Sequence, residues 1–232
     1  MLSAEQFVSG RIAQVTSLDA ASLEVERVIR VLEPLVLERR CERLMSVIDR
    51  RIGSVQAVFD APHDPHNGAA IVRSCEAFGV QHLHVVERRE RFLAAASVSR
   101  GAEKWLDVDC HRHAGEVALG LRSMGFALVG ADPFGELLPA DLSKIPKLAL
   151  VLGNERDGIG EELLAACTHR VRVPMRGFIE SLNVSVTAAI LLEAATAGRP
   201  GDLDPDTKRR LYARGLYFSV ARVDEVLAEA GL

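Results

Sequence analysis

The residues that could do chemistry sit where an apolar core would otherwise continue. In "FIESLNVSVTAAILLEAATAG" (178–198), Ser181, Asn183 and Ser185 alternate with Leu182 and Val184 and run straight into an almost wholly apolar helix. Polar groups placed against a core are costly unless they have partners. Ser185 and Thr187 are expected to satisfy backbone at the start of that helix. A second polar stretch, "GNERDGIG" (153–160), carries Glu155 between glycines. A third, "APHDPHN" (61–67), leads into a helical pattern that Asn67 would open as an N-cap. Neither G-x-G-x-x-G after the first strand nor G-x-x-x-x-G-K-[ST] occurs, so an ordinary dinucleotide fold and a P-loop are both excluded. The glycines and odd polar residues lie late in the chain, which points to a nucleotide-like pocket near the end of a sheet.

Metal chemistry has weaker support. The pairs "HLH" (82–84) and "HRH" (111–113) suit strand surfaces and loops, with no Cys or Glu at ligand spacing. The four cysteines, Cys41, Cys75, Cys110 and Cys167, form no C-x-x-C pair and fit reduced thiols in a cytoplasm. No metal and no membrane contact are expected.

What must position these residues is an alternation of strands and helices. Strands are predicted at 54–60, 82–86, 126–131, 147–153 and 169–175, with helices near 67–78, 114–124, 159–167 and 183–197. "LALVL" is apolar without a break, as in a parallel sheet covered by helices on both faces. Such sheets bind ligands at the carboxyl ends of their strands. Ahead of this body, 38–51 is predicted to be one amphipathic helix with Arg39, Arg43 and Arg50 within about 40° of one another. Cys41, Leu44, Met45, Ile48 and Ile52 form its opposite stripe. Such a basic stripe is either a solvated face or a phosphate contact. The segment after 200 is predicted to hold two short helices and a second basic cluster, Lys208, Arg209, Arg210 and Arg214. The domain boundaries expected are 1–52, 53–199 and 200–232. A chain of 232 residues with 48% hydrophobic and 26% charged residues has an ordinary soluble composition. Its net charge of -4 argues against wholesale electrostatic capture of nucleic acid while leaving room for a local basic patch.

"APHDPHNGAAIVRSCEAFGV" (61–80), "LALVLGNERDGIG" (148–160) and "VPMRGFIESLNVSVTAAILLEA" (173–194), in this order, resemble the three motifs of the SPOUT RNA 2'-O-ribose methyltransferases. The resemblance is strongest to the TrmH branch, the tRNA guanosine-18 enzymes. It extends from about residue 38 to the end and includes "SRGAEKWLDV" (99–108). It implies an α/β fold, a parallel sheet whose C-terminal part is tied in a deep trefoil knot, with N- and C-terminal helical extensions. It also implies S-adenosylmethionine as cofactor, a homodimer, and tRNA as partner.

By matching motif positions, the resemblance makes Arg73 the candidate catalytic residue, with Asn67, Glu155, Ser181 and Asn183 around it. Cofactor contacts would come from Gly130, Ala131, Leu152, Gly153, Val173, Met175, Ser181 and Leu182. Arg39, Arg43, Arg50 and Lys104 would meet RNA. The activity implied is methylation of guanosine-18 in the tRNA D-loop. Alternatives are another tRNA position, ribosomal RNA, or a catalytically inactive RNA-binding paralogue.

Overall fold

The computed structural model describes residues 22–87, 101–154 and 156–232. Helices α1 (Ser22–Leu32) and α2 (Glu38–Ile48) precede the strands β1 (Ile52–Asp60), β2 (Val80–Val86), β3 (Asp107–His111), β4 (Ala127–Ala131), β5 (Leu148–Leu152) and β6 (His169–Val171). Among and after these strands lie α3 (Pro65–Ala77), α4 (Ala114–Ser123), α5 (Glu161–Ala166), α6 (Val184–Thr196), α7 (Pro205–Tyr217) and α8 (Val223–Glu229). Residue contacts divide the chain into two units, 52–200 in one and the segments up to Arg51 and from Gly201 onward in the other.

The first unit is built on a six-stranded sheet of order β3-β2-β1-β5-β4-β6 in which all neighbours run parallel. Period-two alternation sends Ala57, Phe59, Leu148, Leu150 and Leu152 into a core with Ile71 and Val72 of α3 and Leu191 and Leu192 of α6. Val58, Ala149 and Val151 face the other way, onto Val117 and Leu121 of α4 and Leu163 of α5. The unbroken apolar run of β5 is thus the signature of a strand covered on both sides.

The two outer strands differ most from the sequence expectation. The strand predicted at 169–175 stops at Val171, because Pro174 cannot donate to a ladder. β3 was not predicted: "DVDCH" is the outermost strand, with Asp109 and Cys110 exposed, and so lacks an apolar pattern.

Arg199, just past α6, closes this unit. Its guanidinium donates to the carbonyls of Ala195 (2.7 Å), Pro146 (2.8 Å), Leu142 (3.1 Å) and Ile145 (2.5 Å). It thereby ties the end of α6 to the segment that leads into β5.

In the second unit, α2 buries Cys41, Leu44 and Ile48 as expected, but it ends there, with Asp49 as its C-cap. Arg50 lies beyond the helix and donates its Nε to the Ser46 carbonyl at 3.0 Å. The predicted stripe therefore shortens: Met45 is 47% exposed and Ile52 belongs to β1. The two expected C-terminal helices are α7 and α8. Asp204 caps α7 by accepting from the Thr207 backbone amide at 2.9 Å and hydroxyl at 2.6 Å. Much of the C-terminal basic cluster is committed to partners inside the unit: Lys208 pairs with Asp49 at 2.9 Å and Arg209 with Glu26.

Candidate active site

Strands β5, β4 and β6 are neighbours and parallel, so the loops after Leu152, Ala131 and Val171 open side by side at one edge. The loop after β4 is zipped onto β6. Asp132 N–H donates to Val171 O (2.9 Å), Leu137 N–H to Arg170 O (2.9 Å), and Arg170 Nη1 to Asp132 Oδ2 (3.2 Å). Gly130 lies inside β4, paired with Val151 and Arg170, and Ala131 ends that strand half-buried.

After β5 the chain turns back on itself. Asn154 and Gly158 exchange both backbone hydrogen bonds at 3.1 Å, and Asn154 Oδ1 accepts from the amides of Arg156 and Asp157 at 2.9 Å each. Gly153 is required by this turn: a Cβ there would lie 2.1 Å from Gly158 C and 2.3 Å from Ile159 N. Glu155, a predicted site residue, lies outside the described residues. Leu152 is fully buried, whereas Val173, Met175 and Leu182 are half-buried and Ser181 is exposed.

The first and third polar segments meet. Asn183 Nδ2 donates to Asn67 Oδ1 at 3.1 Å. Asn183 is also the N-cap of α6, its Oδ1 accepting from the Ser185 amide at 2.8 Å and the Ser185 hydroxyl at 2.6 Å. This corrects the expectation that Ser185 caps the backbone: Asn183 does so, and the Ser185 hydroxyl donates to it. A second correction concerns Asn67. The N-cap of α3 is Asp64, whose side chain accepts from His66 N at 2.8 Å, with Pro65 as the first helical residue. Asn67 is buried in the first turn, where its Oδ1 accepts from Asn183.

Arg73 lies exposed on α3, on the wall of a pocket of about 600 Å³ shared with Ser74, Phe78, Trp105 and, from α6, Ala189. Lys104 is half-buried in the 3-10 turn Ala102–Trp105 beside the same pocket. Arg39, Arg43 and Arg50 are exposed in the other unit. Sequence reasoning missed Asp60, the fully buried last residue of β1, whose Oδ2 accepts from Gly160 N at 2.7 Å. Its signal was an acid directly after the apolar run "AVF" that ends the strand "SVQAVFD".

Other reactive groups are not poised for chemistry. Burial pushes the Cys167 thiol up to about 11, so it is not a ready nucleophile. Among the described residues no group of three or more His, Cys, Asp or Glu side chains could hold a metal ion, and no helix is long and apolar enough to cross a membrane.

A parallel sheet with its polar loops gathered at one edge, and an asparagine pair joining two of its helices, agrees with the comparison to known proteins. The model of the SpoU rRNA Methylase family matches residues 54–193, and the chain belongs to that family. It is 30% identical over 196 residues to the tRNA (guanosine(18)-2'-O)-methyltransferase of Escherichia coli K12, covering 79% of this chain and 85% of that protein. The structure of the Aquifex aeolicus TrmH/SpoU tRNA modifying enzyme superposes with a TM-score of 0.71 at 25% identity, covering 80% of this chain and 98% of that one. The SpoU methyltransferase AviRb of Streptomyces viridochromogenes, in complex with the cofactor AdoMet, superposes with a TM-score of 0.54 at 26% identity. That match covers 64% of this chain and 60% of that one.

Proposed function

We propose that this chain is an S-adenosylmethionine-dependent RNA 2'-O-ribose methyltransferase whose target is guanosine-18 in the D-loop of tRNA. The observation that carries the reading is the Asn183–Asn67 bond of 3.1 Å, which joins the first and third polar segments beside Arg73's helix. The relative whose name states that activity is matched over 85% of its length. The AviRb complex supports the cofactor.

The residues present fit that cofactor. Three loops open together at the carboxyl edge, and they offer half-buried apolar side chains, Val173, Met175 and Leu182, beside the backbone of Gly130, Ala131, Leu152 and Gly153. Apolar walls and bare backbone suit an adenine ring and a thioether chain, with Ser181 at the rim. When bound, S-adenosylmethionine supplies a sulfonium methyl that is already electrophilic.

The protein's share is to hold a ribose 2'-hydroxyl in line and to manage its proton. A guanidinium keeps its proton and its charge throughout the physiological pH range. Arg73 therefore acts as a cation: it anchors a phosphate and stabilises the charge that develops on the 2'-oxygen as the hydroxyl passes its proton to solvent. Asn67, buried and fixed by Asn183, orients the ribose. Glu155 joins them on its motif position alone.

The larger arrangement follows the same reading. The C-terminal part of the sheet domain is a trefoil knot. The chain works as a homodimer, which the exposed Val186 (46%) and Ile190 (37%) on α6 support. The segments on either side of the sheet domain, within 1–52 and 200–232, meet tRNA through Arg39, Arg43 and Arg50, with Lys104 contributing from the sheet domain. The reaction belongs in the cytoplasm, where tRNA and unpaired thiols are both at home.

Mapping 2'-O-methyl groups in total RNA from cells with and without the gene tests the function directly. Loss of the mark at position 18 of tRNA is expected. A lost mark in ribosomal RNA, with tRNA unchanged, would reassign the substrate, and no lost mark would argue for an inactive RNA-binding protein.

A further inference from the structure

Asp60 is a carboxylate with no exposed surface, at the end of the strand beside β5. Burying such a group is costly unless strong hydrogen bonds compensate it. One compensating bond is the Gly160 amide, 2.7 Å from Oδ2 and one hundred residues further along the chain.

The turn that this bond reaches is already closed upon itself. The Asn154–Gly158 bonds, the two amides on Asn154 Oδ1 and the packing of Gly153 against Gly158 and Ile159 fix its internal shape. Those contacts are all local; the return leg is tied to the sheet by the apolar packing of Ile159 and by a polar bond. The Asp60 carboxylate makes that bond, reaching from β1 to the residue where the leg enters α5.

The same position controls the opposite side. Ala61 takes a left-handed conformation, φ +50°, which is unfavourable for a residue with a Cβ. Its amide is held by Val86 O at 2.9 Å. Directly beyond come the Asp64 cap and α3, with Asn67 and Arg73. Asp60 is therefore the point from which the helix of the first segment departs and to which the turn of the second is tied.

We propose that Asp60 is a positioning residue for methyl transfer: it registers the 153–160 turn against the start of α3. Cofactor-holding backbone at Leu152 and Gly153 is thereby kept in line with Asn67 and Arg73. This rests on the methyltransferase reading given above. Removing the acceptor would leave the half-buried Gly160 amide unsatisfied, which is worth enough to alter an equilibrium or a rate by roughly 10- to 100-fold.

The test uses full-length protein carrying Asp60→Ala or Asp60→Asn. Each variant is assayed well below its melting temperature for S-adenosylmethionine binding by calorimetry, for kcat, and for KM toward tRNA. Amide exchange at Gly160 is followed in parallel. Asp60→Ala is expected to expose the Gly160 amide to faster exchange and to weaken cofactor binding and kcat by about 10-fold or more. KM for tRNA should stay within about twofold. Asp60→Asn, which keeps an acceptor for the amide, should recover most of the loss and covers the case in which Asp60→Ala does not fold. A lower melting temperature with unaltered constants and exchange would overturn the proposal, as would equal damage in both variants. If wild-type protein neither binds the cofactor nor methylates tRNA, the functional reading fails instead, while the exchange measurement still reports on the tether.

Discussion

Arg73 stands on the open side of α3, and its two conceivable roles separate by substitution. Arg73→Lys keeps the charge and loses the planar fork that grips phosphate in two places. As an anchor and alkoxide stabiliser it should then lose about 10²–10³ in kcat, the effect of a missing transition-state contact, and Arg73→Ala should lose more. Cofactor affinity should survive in both. Activity of the lysine variant that climbs steeply with pH would indicate a base instead, and near wild-type turnover by the alanine variant would remove Arg73 from the reaction. At this scale the sequence was readable where a polar residue interrupts an apolar run. Asn183 was found that way, and its bond to Asn67 lies between the two motifs that had drawn notice. Which asparagine caps which helix was not readable, because Asp64, Asn67, Asn183 and Ser185 are all good capping residues. Only the backbone geometry chooses among them. Asp60 escaped because its partner is a glycine amide, which leaves no mark in the sequence.

Strands β2 and β3 carry a histidine chain that has a measurable consequence. His84 Nε2 donates to Gln56 Oε1 at 2.8 Å, which leaves Nδ1 to accept from His111 Nε2 at 3.1 Å. Burial, helped by the neighbouring His111 and His82 and opposed by Asp109, lowers His84 from the ordinary 6.5 to about 4. In the unfolded chain this ring takes up a proton near 6.5, whereas the folded protein resists it until about 4. Stability contributed by neutral His84 is therefore complete above about 6.5 and is lost as pH falls toward 4, by up to about 3 kcal/mol. Denaturant melts at pH 7 and pH 4.5 should show that loss in the wild type and a smaller one in His84→Gln; equal losses would contradict it. The elements themselves were legible in proportion to their burial. β5 is covered on both faces and was predicted within a residue or two, and the helices around the sheet were found at nearly their true bounds. β3, on the sheet edge, was not found. Neither was the end of α2, where Asp49 and Arg50 continue the helical charge pattern although the backbone has already left it.

For the whole molecule, the exposed apolar face of α6 predicts a dimer, and light scattering that returns a monomer at micromolar concentration with full activity would refute it. Arg39 and Arg43, exposed on α2, predict an electrostatic grip on tRNA. Changing them together with Arg50 to alanine should flatten the salt dependence of tRNA binding by up to three phosphate contacts' worth while cofactor affinity stays put. An unaltered slope would leave α2 as a solvated face. Connection order was legible from the alternation of strands and helices; how the termini combine into one unit was not, since no local pattern marks a contact between residues such as Tyr212 and Glu33. Arg199 bears on time rather than on shape. Its carbonyl partners at Leu142, Ile145 and Pro146 lie some fifty residues earlier in the chain, so the contact closes a long loop. Contacts that close long loops are expected to form late, and the loss of one that is absent from the folding transition state falls on the unfolding rate. In kinetic experiments Arg199→Lys should unfold faster than the wild type and refold at nearly the same speed; a matching slowdown in refolding would mean that the clamp closes early. If unfolding alone changes, the sheet domain resists unfolding in part through a residue outside the candidate active site.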